Sequence, residues 1–441
     1  MSKARQAEAA ARAVIARLHE AGHVAYFAGG CVRDWLRGET PVEFDVASDA
    51  TAVEVQALFP RTVPVGAQFG VVLVLIDGVP TEVASFRTDE PYHDGRRPSG
   101  VRPATPEADA QRRDFTINGM FRDAVSGEVI DYVGGRADLA AGVVRAIGDP
   151  HARIGEDRLR MLRAVRFAAR LGFAIEAETF AAIRTHAAAI TSVSLERIGD
   201  EIVRILTEGA AQRGFRLLDE TGLLDHVLPE VAAMRGVEQS PDYHPEGDVF
   251  VHTLLLLAGL EAGAPAELAL AALLHDVSKG ECAGRRPDGR ITFYGHAEIG
   301  AERAVAICQR LRRSRQTWET VEWLVRHHLR IAAAPQMRRS TLRRLLAEPH
   351  IELLLQLGRL DALASNKDLT AYDFCRRAQA EFADEPVKPP PLVRGRDLLE
   401  LGYPSGPLFA EILAAVEERQ LEGELTDREA ALAWVRQRWP R

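Results

Sequence analysis

The spacing of hydrophobic residues changes partway along the chain. In roughly the first 150 residues, short apolar runs such as HVAYFAGG and FGVVLVLIDG alternate with glycine, proline and aspartate turns. Such runs predict strands, whereas the opening MSKARQAEAAARAVIARL predicts an amphipathic helix. From Gly155 to about residue 380 the apolar positions recur at helical spacing. The pattern therefore predicts a domain of mixed strands and helices, followed by an all-helical region.

Two proline-containing segments divide the helical region. QSPDYHPEGD occupies 239–248 and EPVKPPPLVRG occupies 385–395, and proline cannot continue a helix. A chain of 441 residues is also long enough for two to four domains. We therefore predict four domains, at 1–150, 151–238, 239–385 and 386–441.

Composition narrows the class of protein. No apolar run reaches the roughly 20 residues that span a membrane, and the N-terminus lacks the apolar core of a signal peptide, so we expect a cytoplasmic protein. The four cysteines form no CxxC pair, which argues against a disulfide framework or a zinc knuckle.

The net charge is −8, yet residues 300–345 hold eleven arginines and three acidic residues. That segment fits either a solvated helical surface or a contact with a polyanion.

The first candidate site begins with AYFAGGCVRD, a predicted strand that runs into Gly29, Gly30 and a helix carrying Arg33. Glycines let backbone N–H groups approach a phosphate closely, although the same pair often forms a plain tight turn. In PVEFDVASDA, Glu43 and Asp45 alternate on a predicted strand and so share a face. Adjacent carboxylates repel unless a cation lies between them, and Mg²⁺ is the usual one. A solvent-facing acidic strand is the alternative.

A further carboxylate and a row of arginines extend this site. Glu82, on a strand after VVLVLI, is placed to complete a metal cluster. Arg160, Arg163 and Arg166 recur every three residues and so lie along one helical face, with Asp157 three residues before the first. A carboxylate beside a guanidinium can meet the mixed donor and acceptor edge of a nucleobase. Salt bridges within an exposed helix are the alternative.

Several motifs occur in a characteristic order between about residues 20 and 235: GGCVRD, EFD, EVASFR, RRDFTIN, DYVGGRADL and GEDRLRMLRAVRFAARLGF. In this order they resemble the class II tRNA nucleotidyltransferase and poly(A) polymerase family. The resemblance implies an α+β fold in which a polymerase-β-like catalytic head with a mixed sheet precedes all-helical neck, HD and tail domains. The family normally has Asp where this chain has Glu43.

The resemblance also implies roles for individual residues. Gly30, Arg33 and Arg113 would bind the nucleoside triphosphate, and Glu43 and Asp45 would hold two Mg²⁺ ions, aided by Glu82. Asp157 and Arg160 would read the base of CTP or ATP, supported by Glu156, with Arg163 and Arg166 nearby. The segment LERIGDEIVRIL (195–206) resembles the neck element that braces this site. The polar segment between EVASFR and RRDFT resembles the flexible loop of A-adding members.

A second group of motifs follows: HPEGDVFVHTLLLL, LLHDVSKG, GHAEIG, VRHHLR and GRLDALASNKDL. They resemble the HD phosphohydrolase superfamily, whose metal ligands occur in the order H, HD, D. The matching residues are His252, His275, Asp276 and Asp361. The resemblance implies a divalent transition metal, and His296 with His327 or His328 could hold a second one. Packed core histidines are the alternative, and the site could either hydrolyse phosphoesters or only grip tRNA.

Together the motifs predict an enzyme that adds CCA to the 3′ end of tRNA from CTP and ATP with Mg²⁺. A partial enzyme that adds only A or only CC, or a poly(A) polymerase, remains an alternative. A metal-dependent HD phosphohydrolase and a non-catalytic RNA-binding protein are alternatives of other classes. The tail resembles the C-terminal tRNA-contacting region of HD-containing members, and neither a membrane nor a protein partner is implied.

Overall fold

The computed structural model describes residues 2–66, 70–89, 100–240, 247–382 and 390–440. They form two compact units. The first comprises Met1–Ala232, Glu261–Gly263 and Arg310–Arg312, and the second comprises the remainder. None of the described helices is both long and apolar enough to cross a membrane. The predicted flexible loop and the two proline-containing boundaries lie partly at 90–99, 241–246 and 383–389, outside the described residues.

The first unit contains both strands and helices. Its strands are β1 Ala25–Ala28, β2 Asp45–Ser48, β3 Thr62–Gly66, β4 Val71–Ile76, β5 Val79–Ser85, β6 Arg87–Asp89, β7 Val101–Pro103, β8 Met120–Arg122, β9 Val129–Asp131, β10 Val143–Val144 and β11 Ala174–Ile175. Its helices are α1 Lys3–Glu20, α2 Gly30–Leu36, α3 Ala52–Leu58, α4 Pro106–Gln111, α5 Gly135–Ala141, α6 Pro150–Glu156, α7 Arg160–Leu171, α8 Ala177–His186, α9 Leu195–Thr207, α10 Ala211–Glu220, α11 Leu224–Val227 and α12 Pro229–Ala232.

A seven-stranded sheet in the order β3-β4-β5-β2-β1-β8-β9 forms the head. Strands β2 and β5 are parallel, whereas β2 is antiparallel to β1, so the sheet is mixed, as predicted. Helix α1 buries Val14, Ile15 and Leu18 in the same core as Phe27 and Val83 of the sheet. This apolar stripe at helical spacing explains why the N-terminal segment forms a helix against the sheet.

The predicted strand position of Glu43 is wrong, because β2 begins at Asp45. Asp45 pairs with Ala28, the last residue of β1. The chain then turns at Gly29, whose φ is +71°, so no strand residue lies opposite Glu43. The ladder therefore ends at Asp45, and Glu43 lies just before the strand.

The second unit is mainly helical. Its helices are α13 Val249–Ala258, α14 Ala266–Leu274, α15 Lys279–Cys282, α16 His296–Arg310, α17 Arg315–His327, α18 Arg330–Ala333, α19 Arg339–Leu346, α20 Ile351–Ala364, α21 Thr370–Phe382, α22 Gly395–Glu400, α23 Pro407–Leu421 and α24 Arg428–Arg438. It also contains a short hairpin of β12 Gly284–Arg285 and β13 Ile291–Thr292.

The prediction that residues 155 to 380 are all-helical is therefore wrong at two places. Strand β11 follows Gly172, which ends α7 in a left-handed conformation. The β12–β13 hairpin encloses Pro287 and Gly289, and such residues favour a turn and interrupt a helix. Both exceptions are two-residue strands, so the predicted α+β class is confirmed.

Candidate active sites

A glycine turn and two arginines form one end of a cavity of about 430 Å³ in the first unit. Gly29 turns the chain from β1 into α2, and Arg33 follows one helical turn later. The buried Arg33 guanidinium donates to Asn118 Oδ1 at 2.7 Å and to Asp34 Oδ1 at 2.8 Å. A Cβ at Gly29 would lie 3.4 Å from Arg113 Nη1. The backbone of the glycine turn is therefore uncovered and lies between the guanidinium groups of Arg33 and Arg113. Such a surface suits a phosphate.

Three carboxylates converge beside this turn. Glu43 and Asp45 line the cavity, and the parallel register of Val46 with Val83 brings Glu82 alongside Asp45. Desolvation by the surrounding protein raises the pKa of Asp45 to about 6, and repulsion from Glu82 and Glu43 acts in the same direction. Desolvation and the charge of Glu43 also raise the pKa of Glu82. Carboxylates that repel one another when ionised are stabilised by a cation, and their oxygen atoms suit a hard divalent one.

The predicted base-reading pair lies at a break between two helices. Helix α6 ends at Glu156 and α7 begins at Arg160, so Asp157 is outside both. Asp157 accepts hydrogen bonds from Arg197 at 2.8 and 3.2 Å. Arg160 instead donates to Glu156 Oε2 at 2.7 Å and to the carbonyl oxygen of Arg112 at 3.1 Å. Asp157 and Arg160 are thus oriented separately, and the intrahelical salt bridge offered as an alternative does not join them.

Helix α7 directs its other two predicted arginines into the same cavity. Arg163 Nε donates to Asp114 Oδ2 at 2.9 Å. The buried Arg166 donates to Glu201 at 2.7 Å and to Glu208 at 3.2 Å. Because Glu201 lies on α9 and Glu208 caps it, Arg166 ties α7 to α9. This contact gives the predicted bracing segment a physical basis.

The cavity gathers the residues predicted for nucleotide transfer, apart from Glu82 and the supporting Glu156. Its lining comprises Gly29, Gly30, Arg33, Glu43, Asp45, Arg112, Arg113, Asp114, Asn118, Asp157, Arg160, Arg163, Arg166, Phe167, Arg170 and Arg204. The excess of arginine over acid makes it attractive to a triphosphate.

Asp114 and Asn118 are two of the lining residues for which the sequence motifs predicted no role. Asn118 accepts from Arg33 and donates to Asp114 Oδ1 at 3.2 Å, while the other oxygen of Asp114 accepts from Arg163. Burial alone would raise the pKa of Asp114, but Arg163 lowers it below its usual value. This chain of polar contacts joins Arg33 to Arg163. The sequence signal for both was the alternation of polar and apolar residues in DFTIN.

The second unit brings together the four predicted HD residues. His252 lies on α13, Asp361 on α20, and His275 and Asp276 directly follow α14. His252 Nε2 is 3.0 Å from Asp361 Oδ1, and His275 Nε2 is 3.1 Å from Asp276 Oδ2. Asp276 Oδ1 is buried and accepts no hydrogen bond from the described residues. Such an unpaired buried oxygen is expected where a cation binds.

Two more histidines reach the same aspartate. His296 Nε2 and His328 Nε2 lie 3.5 and 3.8 Å from Asp276 Oδ1, and the three can share a metal ion. His327, the other residue considered, instead packs edge-on against Trp323 with ring centroids 4.8 Å apart. Adjacent helical residues point about 100° apart, so only one of the doublet can face the cluster.

Hydrogen bonds to the backbone determine which ring nitrogen carries the proton in three of these histidines. The Nδ1 atoms of His275, His296 and His328 lie 3.0, 2.7 and 2.7 Å from carbonyl oxygens of the preceding turn. A carbonyl only accepts, so Nδ1 carries the proton and Nε2 presents its lone pair. Burial lowers the pKa of His328 to about 4, with repulsion from His275 adding to the effect. Neutral imidazoles beside carboxylates fit a divalent transition metal.

Positive side chains surround the HD cluster. Lys279 Nζ lies 2.6 Å from Asp276 Oδ2 and donates to Gln239 at 2.7 Å. The adjoining cavity of about 670 Å³ is lined by Asp276, Asp361, His296 and His328 together with Arg286, Arg290, Arg326 and Arg330. A cationic cavity next to a metal-binding cluster suits a phosphoester.

Comparisons with known proteins find related domains in both units. Family models match for the poly A polymerase head domain at residues 25–145, the probable RNA and SrmB-binding site of polymerase A at 172–235, and the HD domain at 249–366. The CCA-adding enzyme of Levilactobacillus brevis is 33% identical over 429 residues, 96% of each chain. That of Bacillus subtilis is 43% identical over 215 residues, 48% of this chain and 54% of its own.

The same relationship holds for a solved structure. The crystal structure of the Bacillus stearothermophilus CCA-adding enzyme in complex with CTP superimposes with a TM-score of 0.74 at 28% identity. The match covers 99% of this chain and 98% of that one. One relative is more than 30% identical over nearly the whole length, and a solved structure matches over the full length. Three family models also match in order along the chain. The chain belongs to the CCA-adding enzyme family.

Proposed function

We propose that this protein adds CCA to the 3′ end of tRNA, using CTP and ATP. The observation that carries the proposal is the convergence of Glu43, Asp45 and Glu82 beside an arginine-lined cavity. Membership of the CCA-adding enzyme family and the CTP bound in the Bacillus stearothermophilus relative identify the chemistry. Since tRNA and nucleoside triphosphates are found in the cytoplasm, we place the protein there.

We assign the divalent cation of the head as Mg²⁺, held by Glu43, Asp45 and Glu82. When bound, two such ions stabilise the attacking and leaving oxygens of an in-line displacement. Arg33 and Arg113 bind the triphosphate on either side of Gly30. The tRNA 3′-hydroxyl attacks the α-phosphate, and pyrophosphate leaves without a covalent enzyme intermediate. The longer side chain of Glu43 reaches toward Asp45 from just before the strand.

Base selection is assigned to Asp157 and Arg160. Arg197 fixes the Asp157 carboxylate, and Glu156 fixes the Arg160 guanidinium. Each side chain keeps further hydrogen-bonding capacity, because a carboxylate accepts about four hydrogen bonds and a guanidinium donates five. Arg163 and Arg166 hold the surrounding wall through Asp114 and Glu201. Protein side chains thereby take the place of a template base.

The assay that tests this function uses purified protein and tRNAs ending in the discriminator base, in CC or in CCA. Each is incubated with labelled CTP and ATP together, and separately with CTP, ATP, UTP or GTP alone, and product lengths are measured. CCA addition gives three nucleotides on the first tRNA, one A on the second and none on the third. Addition of A alone or CC alone would indicate a partial enzyme, and long A tails a poly(A) polymerase. No incorporation on any tRNA would contradict the proposal.

Magnesium should stabilise the protein more at pH 7.5 than at pH 5. The pKa of Asp45 is about 6 in the folded protein, above its ordinary value of 3.8. The metal-free folded state therefore loses stability from this group as pH rises from about 4 to 6, because the unfolded chain ionises first. Magnesium offsets that repulsion only where the carboxylates are ionised. Thermal unfolding with and without Mg²⁺ measures the difference.

The control for this measurement is Asp45→Asn, which cannot ionise. Its Mg²⁺-induced change in Tm should be small at both pH values, which also separates the head from metal bound in the second unit. An equal Mg²⁺ effect in the wild-type protein at pH 5 and pH 7.5 would contradict the assignment of Asp45.

The HD cluster supports a second activity, metal-dependent phosphoester hydrolysis. The observation that favours it is the set of three histidines whose Nδ1 atoms face carbonyls while their Nε2 atoms face one another or Asp276. His252, His275, Asp276 and Asp361 would hold one transition metal, and Asp276, His296 and His328 a second. Bound metal supplies a water of lowered pKa, and Lys279 and the neighbouring arginines bind the phosphate.

We retain the division into a catalytic head at 1–150, a neck at 151–238, an HD domain at 239–385 and a tail at 386–441. The neck, HD domain and tail are proposed to hold tRNA by its shape and its phosphates. Such binding should weaken steeply as salt concentration rises.

A further inference from the structure

Asp109 is a buried carboxylate behind the nucleotide cavity, and nucleotide transfer as described above gives it no role. It lies on α4 and is 1% exposed. Its Oδ1 accepts two hydrogen bonds from Arg112, at 2.6 and 2.9 Å. Its Oδ2 accepts two from Arg113, at 2.9 and 3.1 Å. A single carboxylate thus holds two consecutive arginines, one with each oxygen.

The two arginines lead to different parts of the cavity. Arg113 extends toward the glycine turn, where its Nη1 donates to the carbonyl oxygen of Asn118 at 3.4 Å. Its guanidinium also lies 4.9 Å from the ring centre of Phe121. Arg112 reaches the other part through its backbone, because its carbonyl oxygen accepts from Arg160 at 3.1 Å. Asp109 is therefore linked both to the triphosphate end and to the base-selecting end.

Asp109 also anchors the neighbouring strand. Its Oδ1 accepts from the backbone N–H of Arg87 at 3.3 Å, and Arg112 donates to the carbonyl oxygen of Arg87 at 3.1 Å. Because Arg87 begins β6, directly after β5, this contact ties the two arginines to the part of the chain that carries Glu82. Asp109 is thus linked directly to Arg113 and to the strand next to β5, and indirectly to Arg160 through Arg112.

We propose that Asp109 is a positioning residue for nucleotide transfer, which sets Arg113 against the triphosphate and Arg112 against Arg160. The inference rests on the proposed function of the head. Asp109 makes no contact with the nucleotide itself, since the described lining of the cavity includes Arg112 and Arg113 but not Asp109. It holds the two ends of the nucleotide site at a set separation before CTP or ATP binds. Less conformational entropy is then lost when the nucleotide binds.

The carboxylate is required because it offers two acceptor oxygens. Asparagine has nearly the same shape but only one acceptor oxygen, and its amide N–H₂ group would face a guanidinium. In either orientation of the amide, one arginine loses its partner. Asp109→Asn should therefore raise KM for both CTP and ATP about tenfold or more, a size typical for the loss of hydrogen bonds to charged groups. It should change kcat less than about threefold and leave KM for tRNA unchanged.

A double-mutant cycle with Arg113→Lys tests whether Asp109 acts through Arg113. If it does, the double variant should raise KM for CTP little more than Arg113→Lys alone, because the two residues then form one unit. Fully additive effects would overturn the positioning role. So would an unchanged KM in Asp109→Asn.

Asp138→Asn is the matched control for a purely structural effect. Asp138 is a buried carboxylate of the same head, accepting from Arg145 at 3.1 Å and from Thr116 at 2.7 Å, outside the cavity lining. It should lose stability in thermal unfolding while keeping the wild-type KM. A KM increase in both variants that follows their loss in Tm would overturn the inference.

Calorimetric binding of CTP provides a readout that needs no turnover. Weaker CTP binding in Asp109→Asn supports the positioning role even if the wild-type protein extends no tRNA, a result that would count against the proposed function alone. Equal CTP affinity in the wild-type protein and Asp109→Asn would overturn the positioning role whether or not the enzyme is active.

Discussion

Asp45→Ala should lower the incorporation of CTP and ATP into tRNA by about a thousandfold while the protein stays folded. Removing one preorganised electrostatic group from an active site typically costs about 10²–10³ in rate. Both Glu82 and Glu43 act on the Asp45 carboxylate, so its loss also weakens the cation site proposed for all three. Single-turnover incorporation at saturating nucleotide measures the effect on the transfer step itself.

Folding of this variant should be unaffected or improved. The raised pKa of Asp45 shows that its ionised form is disfavoured in the folded protein, so removing it relieves repulsion. Asp49→Ala is the matched control, because Asp49 is an exposed acid just after the other end of β2, where it accepts from the backbone of Val24 at 2.9 Å. Asp49→Ala should retain incorporation. Substantial incorporation by Asp45→Ala would remove the basis for metal binding at this strand.

Asp276→Ala should abolish phosphoester hydrolysis without affecting CCA addition. Asp276 is common to both groups of metal-binding residues, so its loss dismantles the whole cluster. Metal-bound water is the nucleophile in such sites, and we expect at least about a hundredfold loss of phosphate release. Release from bis(p-nitrophenyl) phosphate in the presence of Mn²⁺, Co²⁺ or Ni²⁺ measures this activity, and bound metal is determined by elemental analysis.

His327→Ala is the matched control for metal binding, because His327 neighbours His328 and lines the same cavity but packs against Trp323 and is not among the metal-binding residues. It should keep both hydrolysis and bound metal, whereas His328→Ala should lose metal. Hydrolysis retained by Asp276→Ala would place that activity elsewhere. If Asp276→Ala loses tRNA binding but keeps hydrolysis, the role of the HD cluster would be to support tRNA binding.

Local patterns predicted the elements of the fold well. The apolar stripe of α1 and the short runs of β1, β4 and β5 depend on residues within one element, and the structure has them where the spacing places them. The order of motifs likewise predicted two groups of candidate site residues, since each motif carries its chemical groups within one short segment. Glu43 was misplaced because the end of a strand depends on its partner, here β1, which stops at Ala28.

Contacts between distant segments were beyond such reasoning. Asp157 pairs with Arg197, forty residues away, although Arg160 is nearer in sequence. The choice between His327 and His328 followed from how α17 is rotated against its neighbours. The role of Asp109 was invisible, because an aspartate near two arginines in sequence is ordinary until burial removes the competing water.

The amino-acid sequence alone therefore determined the α+β class, the family and the chemical groups available for metal and nucleotide. Periodicity and motif order are properties of short stretches of chain, so they can be read without knowing what packs against them. Only the tertiary structure decided which charges pair, which histidine faces the HD cluster and which carboxylate holds the nucleotide-site arginines in place. Ion pairing depends on distance and on exclusion of water, and both arise only when segments remote in the chain pack together.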